Sequence, residues 1–233
     1  MMIDNPGFKF EHLLKLDICS ILCLVKPEGD GAAMAYLNRQ DRRDAILAAA
    51  IAVIERDGFA EMTTRAVAAE LGAANGIIHH HFASAQALRR EAFARFYAAE
   101  SAAFDQRSAG LAPAAALRLM LADPLDDHGS RMRFWLGAWN EAQRDGDFAG
   151  IYAQAFGDMH RRLAGLIADW QAATRPASRA IDVGAAAWRL LVLGHGLAGL
   201  AVTPLALVDA REGQRLFARA VEAELGVDLA ASG

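Results

Sequence analysis

The chain has 233 residues, of which 54% are hydrophobic and 22% charged, with a formal net charge of −4. This balance fits a soluble globular protein with enough chain to bury a large core. The longest apolar run near the N-terminus, Ile18 to Val25, is too short to span a bilayer. No secretory signal pattern precedes it, so we expect a cytoplasmic protein without a membrane segment.

Residues 1–37 differ in composition from the rest of the chain. They hold all three lysines, Lys9, Lys15 and Lys26, and both cysteines, whereas the remaining basic residues are all arginine. Two cysteines alone predict neither a disulfide framework nor a zinc site. We therefore interpret residues 1–37 as an atypical N-terminal extension. We hypothesise that translation begins at Met34, which the intact mass of the native protein would test.

Abundant alanine and few β-branched runs predict helices from residue 38 onward. Apolar residues at helical spacing predict a helix from Arg39 to Asp57 that ends at Gly58. The stretch 63–82 predicts two short helices joined by a tight turn at Gly72. Such a pair is a helix-turn-helix unit, whose second helix normally lies in the major groove of DNA.

Hydroxyl residues mark two further helix starts. Either Thr63 or Thr64 is expected to cap the first short helix. Ser84 is expected to cap a longer helix that runs to about Ala103.

The second half of the chain predicts five more helices. They run from Pro113 to the Asp123-Pro124 pair, from about Gly129 to Arg144, from about Phe148 to Ala173, from Ala180 to Val202 and from Asp209 to Leu225. The helix 180–202 is apolar on nearly every side, which predicts burial in the core or in an oligomer interface. The architecture is therefore all-α, with about nine helices after the extension.

Residues 39–97 resemble the DNA-binding domain of the TetR/AcrR family of bacterial transcriptional regulators. The resemblance lies in the order of a helix, a Gly58-Phe59 turn, a threonine cap, an alanine-rich helix, Gly72, a short helix and a serine-capped helix. It implies a three-helix helix-turn-helix domain over residues 38–98 and a helical ligand-binding and dimerisation domain over residues 99–233.

The same resemblance implies a function, that of a homodimeric regulator which binds a palindromic operator. Most often such a regulator is a repressor released by a small-molecule effector. The helix Asn75 to His81 of each subunit would enter a major groove. The apolar helix near Trp188 and the last helix would form the dimer interface as a four-helix bundle.

Two shorter motifs resemble the BetI-type subgroup, which regulates choline-to-glycine-betaine genes. They are the run 75–78, Asn-Gly-Ile-Ile, and the pair Trp135 and Trp139. The subgroup resemblance implies control of choline- or betaine-related genes. The family pattern usually has tyrosine where His79 stands and lysine where Ala85 stands, so the operator sequence stays open.

Eleven residues are candidates for DNA contact. They are Arg42, Arg43, Thr63, Thr64, Arg65, Asn75, Gly76, Ile77, His79, His80 and His81. Arginine and threonine side chains suit phosphate, with solvated surface as the alternative. An asparagine at position 75 suits a bidentate contact to adenine, with a helix cap as the alternative.

The triple histidine 79–81 also invites a metal-site interpretation. Consecutive helical residues point about 100° apart, so three in a row cannot all bind one ion. DNA contact is the favoured interpretation, and no metal is predicted. Residues 38–91 carry seven arginines and seven carboxylates, which argues against very strong non-specific DNA affinity.

Five residues are candidates for an effector site. They are Trp135, Trp139, Phe156, Trp188 and His195. Aromatic faces bind quaternary ammonium ions by cation–π attraction, although ordinary core packing is the alternative.

No enzyme is predicted. The run 194–199 fits G-x-G-x-x-G, but its flanks are helical, so a dinucleotide site is not predicted. Neither a cofactor nor a catalytic residue is predicted. The alternative function is a helical partner-binding protein whose helix-turn-helix is degenerate.

Overall fold

The computed structural model describes residues 38–126, 129–174, 181–204 and 207–226. In these ranges all regular structure is helical, in nine helices, which confirms the predicted all-α class. They are α1 (Arg39–Asp57), α2 (Thr64–Glu70), α3 (Gly76–His81), α4 (Ala85–Ser108), α5 (Pro113–Asp126), α6 (Ser130–Ala142), α7 (Gly146–Thr174), α8 (Val183–Val202) and α9 (Ala210–Leu225). The predicted extension, residues 1–37, lies outside the described residues.

The first helix has the bounds that the sequence predicts. Asn38 caps it, since its side-chain oxygen accepts a hydrogen bond from the Asp41 amide at 2.9 Å. Ile46 and Val53 are fully buried on its inner face. Gly58 ends the helix with a φ of +89°, a conformation that favours glycine.

The helix-turn-helix stretch consists of α2, a turn through Gly72 and α3. Thr63 rather than Thr64 caps α2, because its hydroxyl accepts from the Ala66 amide at 3.1 Å. Gly72 has a φ of +62°, as the turn requires. Val67 and Ile78 are fully buried and hold α2 and α3 on the core.

Helix α4 is longer than predicted. Ser84 caps it as expected, with its hydroxyl accepting from the Ala87 amide at 3.0 Å. The helix continues past Ala103 to Ser108, because its last turns bury Phe104 and are bound by Arg162 from α7. The predicted domain boundary at residue 98 falls inside this helix.

The prediction that the Asp123-Pro124 pair ends α5 is wrong. The helix continues through this pair to Asp126. A proline this close to the end of a helix removes only one late hydrogen bond, so the last turn still forms. The bounds predicted for the four later helices agree with α6 to α9 within three residues at each end.

Helix α7 is the centre of the second half of the molecule, since it packs against α4, α5, α6 and α8. It begins where Asp145 accepts hydrogen bonds from the amides of Asp147 and Phe148, at 3.0 and 3.1 Å. Asp182 and Asp209 cap α8 and α9 in a similar way. Three aspartates therefore set the starts of the last three helices.

Helix α8 is buried on one side only. It packs against α7 and α9, and its outer side carries four exposed apolar residues: Trp188, Val192, Leu193 and Leu200. By length and a mean hydropathy of 1.5 this helix could cross a bilayer, yet 44% of that window is buried inside the protein. Within a single chain, therefore, only the inner face of α8 is buried in the core as predicted.

One continuous core joins the helix-turn-helix end to the rest of the protein. The ring of Phe59, which follows α1, meets that of Phe134 on α6 edge-on at 5.0 Å between centroids. Beside it, Arg89 on α4 pairs with Glu141 on α6 at 3.6 Å and donates to the Met62 carbonyl at 3.0 Å. Helix α6 therefore contacts the segment between α1 and α2 that leads into the helix-turn-helix.

Candidate DNA-binding surface and effector cavity

The eleven DNA-contact candidates divide by exposure into two groups. Six are exposed: Thr63, Arg65, Asn75, Gly76, His79 and His80. Five are half-buried: Arg42, Arg43, Thr64, Ile77 and His81. All but the two α1 arginines lie on α2, on α3 or directly beside them, and these two helices pack together. We call the exposed candidates on or beside these two helices, Thr63, Arg65, Asn75, Gly76, His79 and His80, the α2–α3 surface.

Asn75 is not a helix cap by its side chain. Its backbone is already helical, with φ −55° and ψ −29°, and its side chain makes no capping hydrogen bond. A capping side chain needs an extended backbone at that position, so Asn75 holds the N-cap position of α3 without capping the helix through its side chain. The exposed amide of Asn75 is therefore available for a partner outside the chain.

Arg43 is engaged inside the domain. Its guanidinium donates to the carbonyl of His81 at 2.7 Å, pairs with Glu91 and lies 4.3 Å from the centre of the Phe82 ring. These contacts tie the end of α3 to α1 and α4. Arg43 therefore positions the helix-turn-helix, which differs from the phosphate contact predicted for it.

The three histidines of α3 have different environments. His79 and His80 are exposed, whereas His81 is half-buried. Burial, and then the nearby guanidinium of Arg42, lower the pKa of His81 below its usual value. Its imidazole is therefore neutral at pH 7. In the part of the chain that the structure describes, no three His, Cys, Asp or Glu side chains are grouped to hold a metal ion.

A second feature is a cavity of about 470 Å³ among α4 to α9. A volume of this order is typical of small-molecule sites. Two predicted effector residues, Trp135 and His195, line it. The apolar part of its wall comes mainly from Met120, Leu121, Met132, Leu163, Leu190, Leu191, Ala198 and Phe217.

The other three predicted effector residues lie outside this cavity. Trp139 and Trp188 are 57% and 44% exposed on the outer surface. Phe156 stacks on Trp188 at 6.0 Å and meets His195 at 5.0 Å between ring centroids, behind the cavity wall. The spacing of four that joins Trp135 to Trp139 does not put both rings in the cavity, because one turns inward and the other outward.

His195 sits between the cavity and this aromatic layer. Its Nδ1 lies 3.0 Å from the Leu191 carbonyl, and its ring meets that of Trp135 edge-on at 5.9 Å. Burial lowers its pKa, and the hydrogen bond to Leu191 opposes this only in part. His195 is therefore a neutral imidazole with Nδ1–H as donor at pH 7.

Sequence reasoning missed the charged part of the cavity wall. Glu100 on α4 and Arg131 on α6 form an ion pair of 2.8 Å, and Arg133 and Arg162 also line the cavity. Tyr97, Glu100, Ser101 and Phe104 occupy positions i, i+3, i+4 and i+7 of α4 and share the cavity-facing side. This spacing could have indicated the cavity-facing side of α4 in the sequence. It was missed because the helix was predicted to end near Ala103, before Phe104.

Two family models match the chain. Residues 46–92 match bacterial regulatory proteins of the tetR family, and residues 113–226 match the C-terminal part of BetI-type transcriptional repressors. The chain belongs to the TetR family. This family consists of regulatory proteins, in agreement with the expectation that the chain is not an enzyme.

A curated relative matches part of the chain. The HTH-type transcriptional regulator BetI of Ectopseudomonas mendocina (strain ymp) is 32% identical over 104 residues, which are 42% of this chain. The match spans 53% of that protein, about half of its length.

Solved structures show the same TetR fold. A transcriptional regulator from Saccharomonospora viridis in complex with choline has a TM-score of 0.71 at 23% identity, over 79% of this chain and 97% of that one. A TetR transcription regulator from Haloarcula marismortui has a TM-score of 0.69 at 17% identity, over 80% and 99%. At these identities the likeness concerns the fold alone.

Proposed function

We propose that this TetR-family protein is a homodimeric, sequence-specific DNA-binding regulator, a repressor that a small molecule releases from its operator. The observation that carries the proposal is the distribution of buried and exposed side chains on α3. Ile78 is fully buried and anchors the helix, while Asn75, His79 and His80 are exposed on it or directly before it. Such a helix has its apolar side fixed on the core and its polar side open to a major groove.

The α2–α3 surface offers two kinds of contact. Asn75 has the side chain that pairs with adenine through two hydrogen bonds, and His79 can bond to a base edge or a phosphate. Thr63 and Arg65 suit phosphate oxygens, which position a protein on DNA without reading sequence. Because residues 38–91 carry equal numbers of arginines and carboxylates, specific contacts rather than net charge must supply the affinity.

Dimerisation would cover the apolar side chains that are exposed on the outer face of α8. Val192 is 57% exposed and Trp188 44% exposed, and Leu216 on the adjacent α9 is 39% exposed. Exposed apolar residues on two neighbouring helices suit a second copy of the same two helices. The two-fold axis of such a dimer requires a palindromic operator. A cytoplasmic location follows from a DNA partner.

The cavity supplies the regulatory site. Its wall includes α4 and α6, the helices that carry Arg89 and Glu141 at the junction with the helix-turn-helix. A ligand that fits the cavity only in a DNA-incompetent arrangement shifts the protein toward that arrangement. The coupling is reciprocal, so operator DNA must weaken ligand binding by the same factor.

We further propose that the protein regulates choline-related genes. This proposal rests on the BetI-type resemblance and on the choline-bound neighbour of similar fold. In the cavity, the rings of Tyr97 and Trp135 are groups that attract a quaternary ammonium ion.

A band-shift titration tests the proposed function. Palindromic fragments from beside the gene should bind, with affinity falling steeply as salt rises. The variants Asn75→Ala and His79→Ala should lose specific binding, whereas Gln143→Ala, exposed just after α6, should retain it. Absence of any shift at low salt would contradict the proposal. Unchanged affinity in both variants would favour the partner-binding alternative with a degenerate helix-turn-helix.

A further inference from the structure

We infer that the effector of the cavity has a largely apolar body with a hydroxyl or amide N–H group, and that Nε2 of His195 accepts a hydrogen bond from this group. The same nitrogen selects against a carboxylate, which has no proton to donate. The inference rests on the proposed function, because it concerns the ligand of the same regulatory site. It is carried by the position of His195 on α8, by its bond to Leu191 and by the existing partners of the charged side chains.

His195 faces the cavity from α8. Leu191, His195, Ala198 and Val202 all line the cavity and occupy positions i, i+4, i+7 and i+11 of this helix. Residues at these spacings share one side of an α-helix. The His195 ring also meets that of Trp135, another cavity residue, at 5.9 Å between centroids. The imidazole therefore points from α8 into the cavity wall.

The hydrogen bond to Leu191 determines which nitrogen of His195 carries the proton. Nδ1 lies 3.0 Å from the Leu191 carbonyl oxygen, and a carbonyl can only accept, so Nδ1–H is the donor. Burial lowers the pKa of His195, so the ring is neutral at pH 7 and Nε2 keeps its lone pair. Among the described residues Nε2 has no hydrogen-bond partner. A ligand that displaces water from this acceptor must supply a donor in its place.

The charged side chains that line the cavity offer no site for a carboxylate. Glu100 and Arg131 form an ion pair of 2.8 Å, and each has a further interaction within the chain. Arg162 is paired with Asp105, and Arg133 is exposed to solvent. A carboxylate in the cavity would therefore be buried without a free cation of the described lining to neutralise it, which costs free energy.

The rest of the wall selects an apolar body and leaves His195 to choose the polar group. Aliphatic and aromatic side chains of α5, α8 and α9 form much of the wall, among them Leu121, Leu190 and Phe217. Tyr97 keeps its phenolic proton because burial raises its pKa, and its hydroxyl can both donate and accept. Among the uncharged nitrogen and oxygen groups of the described lining side chains, Nε2 of His195 is the one that only accepts.

A matched series of ligands tests the class. Octanol and heptyl methyl ether are isomers of equal size, but only octanol has an O–H donor, and octanoate adds a carboxylate to a similar chain. Measured by isothermal titration calorimetry on the full-length protein, octanol should bind at least about threefold more tightly than the ether and about tenfold more tightly than octanoate. Equal affinity for octanol and the ether, tighter binding of octanoate, or no binding of any of the three overturns the inference.

A variant of His195 assigns the preference to this residue. His195→Phe removes the acceptor and keeps a ring in its place, so the preference for octanol over the ether should disappear without a loss of affinity for the ether. His160→Phe is the matched control, because His160 stacks on Trp188 and does not line the cavity. It should keep the preference. A His195→Phe protein that still prefers octanol would overturn the inference.

A measurement on the wild-type protein covers the case in which His195→Phe does not fold. In NMR of nitrogen-labelled histidine, octanol should shift the signal of the unprotonated nitrogen of His195 toward that of a hydrogen-bonded nitrogen, whereas the ether should not. A signal that octanol and the ether move alike would overturn the inference.

The operator assay separates this inference from the proposed function. If octanol binds with the expected dependence on His195 but no DNA is bound, the proposed function fails and the ligand class stands. If operator DNA is bound and octanoate releases it while octanol does not bind, the ligand class fails and the proposed function stands.

Discussion

Gly137 on α6 faces the ring of Phe59 so closely that a Cβ added at position 137 would lie 2.7 Å from Phe59 Cδ2. Phe59 follows α1 and belongs to the half that carries the helix-turn-helix. Trp135, two residues before Gly137 on the same helix, lines the cavity. The glycine therefore permits close approach of the cavity helix to the proposed DNA-binding half.

The first prediction concerns this contact. Gly137→Ala should lower the free energy of unfolding by about 1–3 kcal/mol, because the new methyl group overpacks against a buried ring. Gly150→Ala on α7 is the matched control, since its Cβ would meet nothing within 4 Å. That variant should be neutral or slightly stabilising, as expected for alanine in a helix. Urea unfolding measures both, and equal effects in the two variants would argue against the contact.

The second prediction separates two arginines of the α2–α3 region. Arg43→Gln should reduce stability by about 1–2 kcal/mol, because the bonds to the His81 carbonyl and to Glu91 are lost. Arg65→Gln is exposed and should leave stability unchanged. It should instead weaken DNA binding and reduce the slope of log affinity against log salt by about 0.9. A stable Arg43→Gln protein would show that this arginine does not support α3.

The third prediction concerns pH. The pKa of His195 is lower in the folded protein than in the unfolded chain because of burial, and His81 is shifted the same way. The unfolded chain therefore takes up protons first on acidification, so stability is full above pH ~6.5 and is lost as the pH falls below it. Urea unfolding between pH ~7.5 and ~5, above the range of most carboxylates, should show this loss.

Two variants test which histidine causes the pH dependence of stability. His195→Gln keeps a hydrogen-bonding side chain but cannot be protonated, so its stability should depend less on pH than that of the wild type. His81→Gln should remove a further part of the dependence. Parallel pH profiles for the wild type and both variants would mean that neither imidazole is the source.

The fourth prediction concerns the outer face of α8. Val192→Asp places a charge on an apolar surface that we propose is covered by a second copy, so the dimer should dissociate. Sedimentation velocity should then report a monomer, and operator binding should fall with it. Leu111→Asp, an exposed leucine outside α8 and α9, is the matched control and should leave the dimer intact. A dimeric Val192→Asp protein would move the interface elsewhere.

Local signals in the sequence were sufficient for the helix-turn-helix. Ser84 and the pair Thr63-Thr64 were recognisable as caps, because a hydroxyl before an apolar repeat satisfies exposed amides whatever the tertiary structure, and only the structure chose Thr63 over Thr64. Gly72 was recognisable for a similar reason, since a positive φ is a local requirement. The bounds of α1 and the position of the turn followed from such short-range chemistry.

The site in the second half depended on contacts between distant residues. The end of α4 lies at Ser108 because Phe104 is buried and Arg162 binds this turn from α7, about sixty residues later in the chain. The pairing of Glu100 with Arg131 likewise joins two helices whose relative rotation no local pattern specifies. Trp135 and Trp139 looked equivalent in the sequence, and only the packing of α6 makes one a cavity residue.

Selection of bound DNA from a random pool tests the central proposal most directly, because the pool contains every candidate operator sequence. The wild-type protein should enrich a palindrome of two half-sites, as a two-fold dimer with one α3 in each major groove requires. Asn75→Ala should relax the preference at one base pair of each half-site, by about 1–3 kcal/mol, while Gln143→Ala enriches the wild-type sequence. A pool that remains random after selection with the wild-type protein would contradict sequence-specific DNA binding.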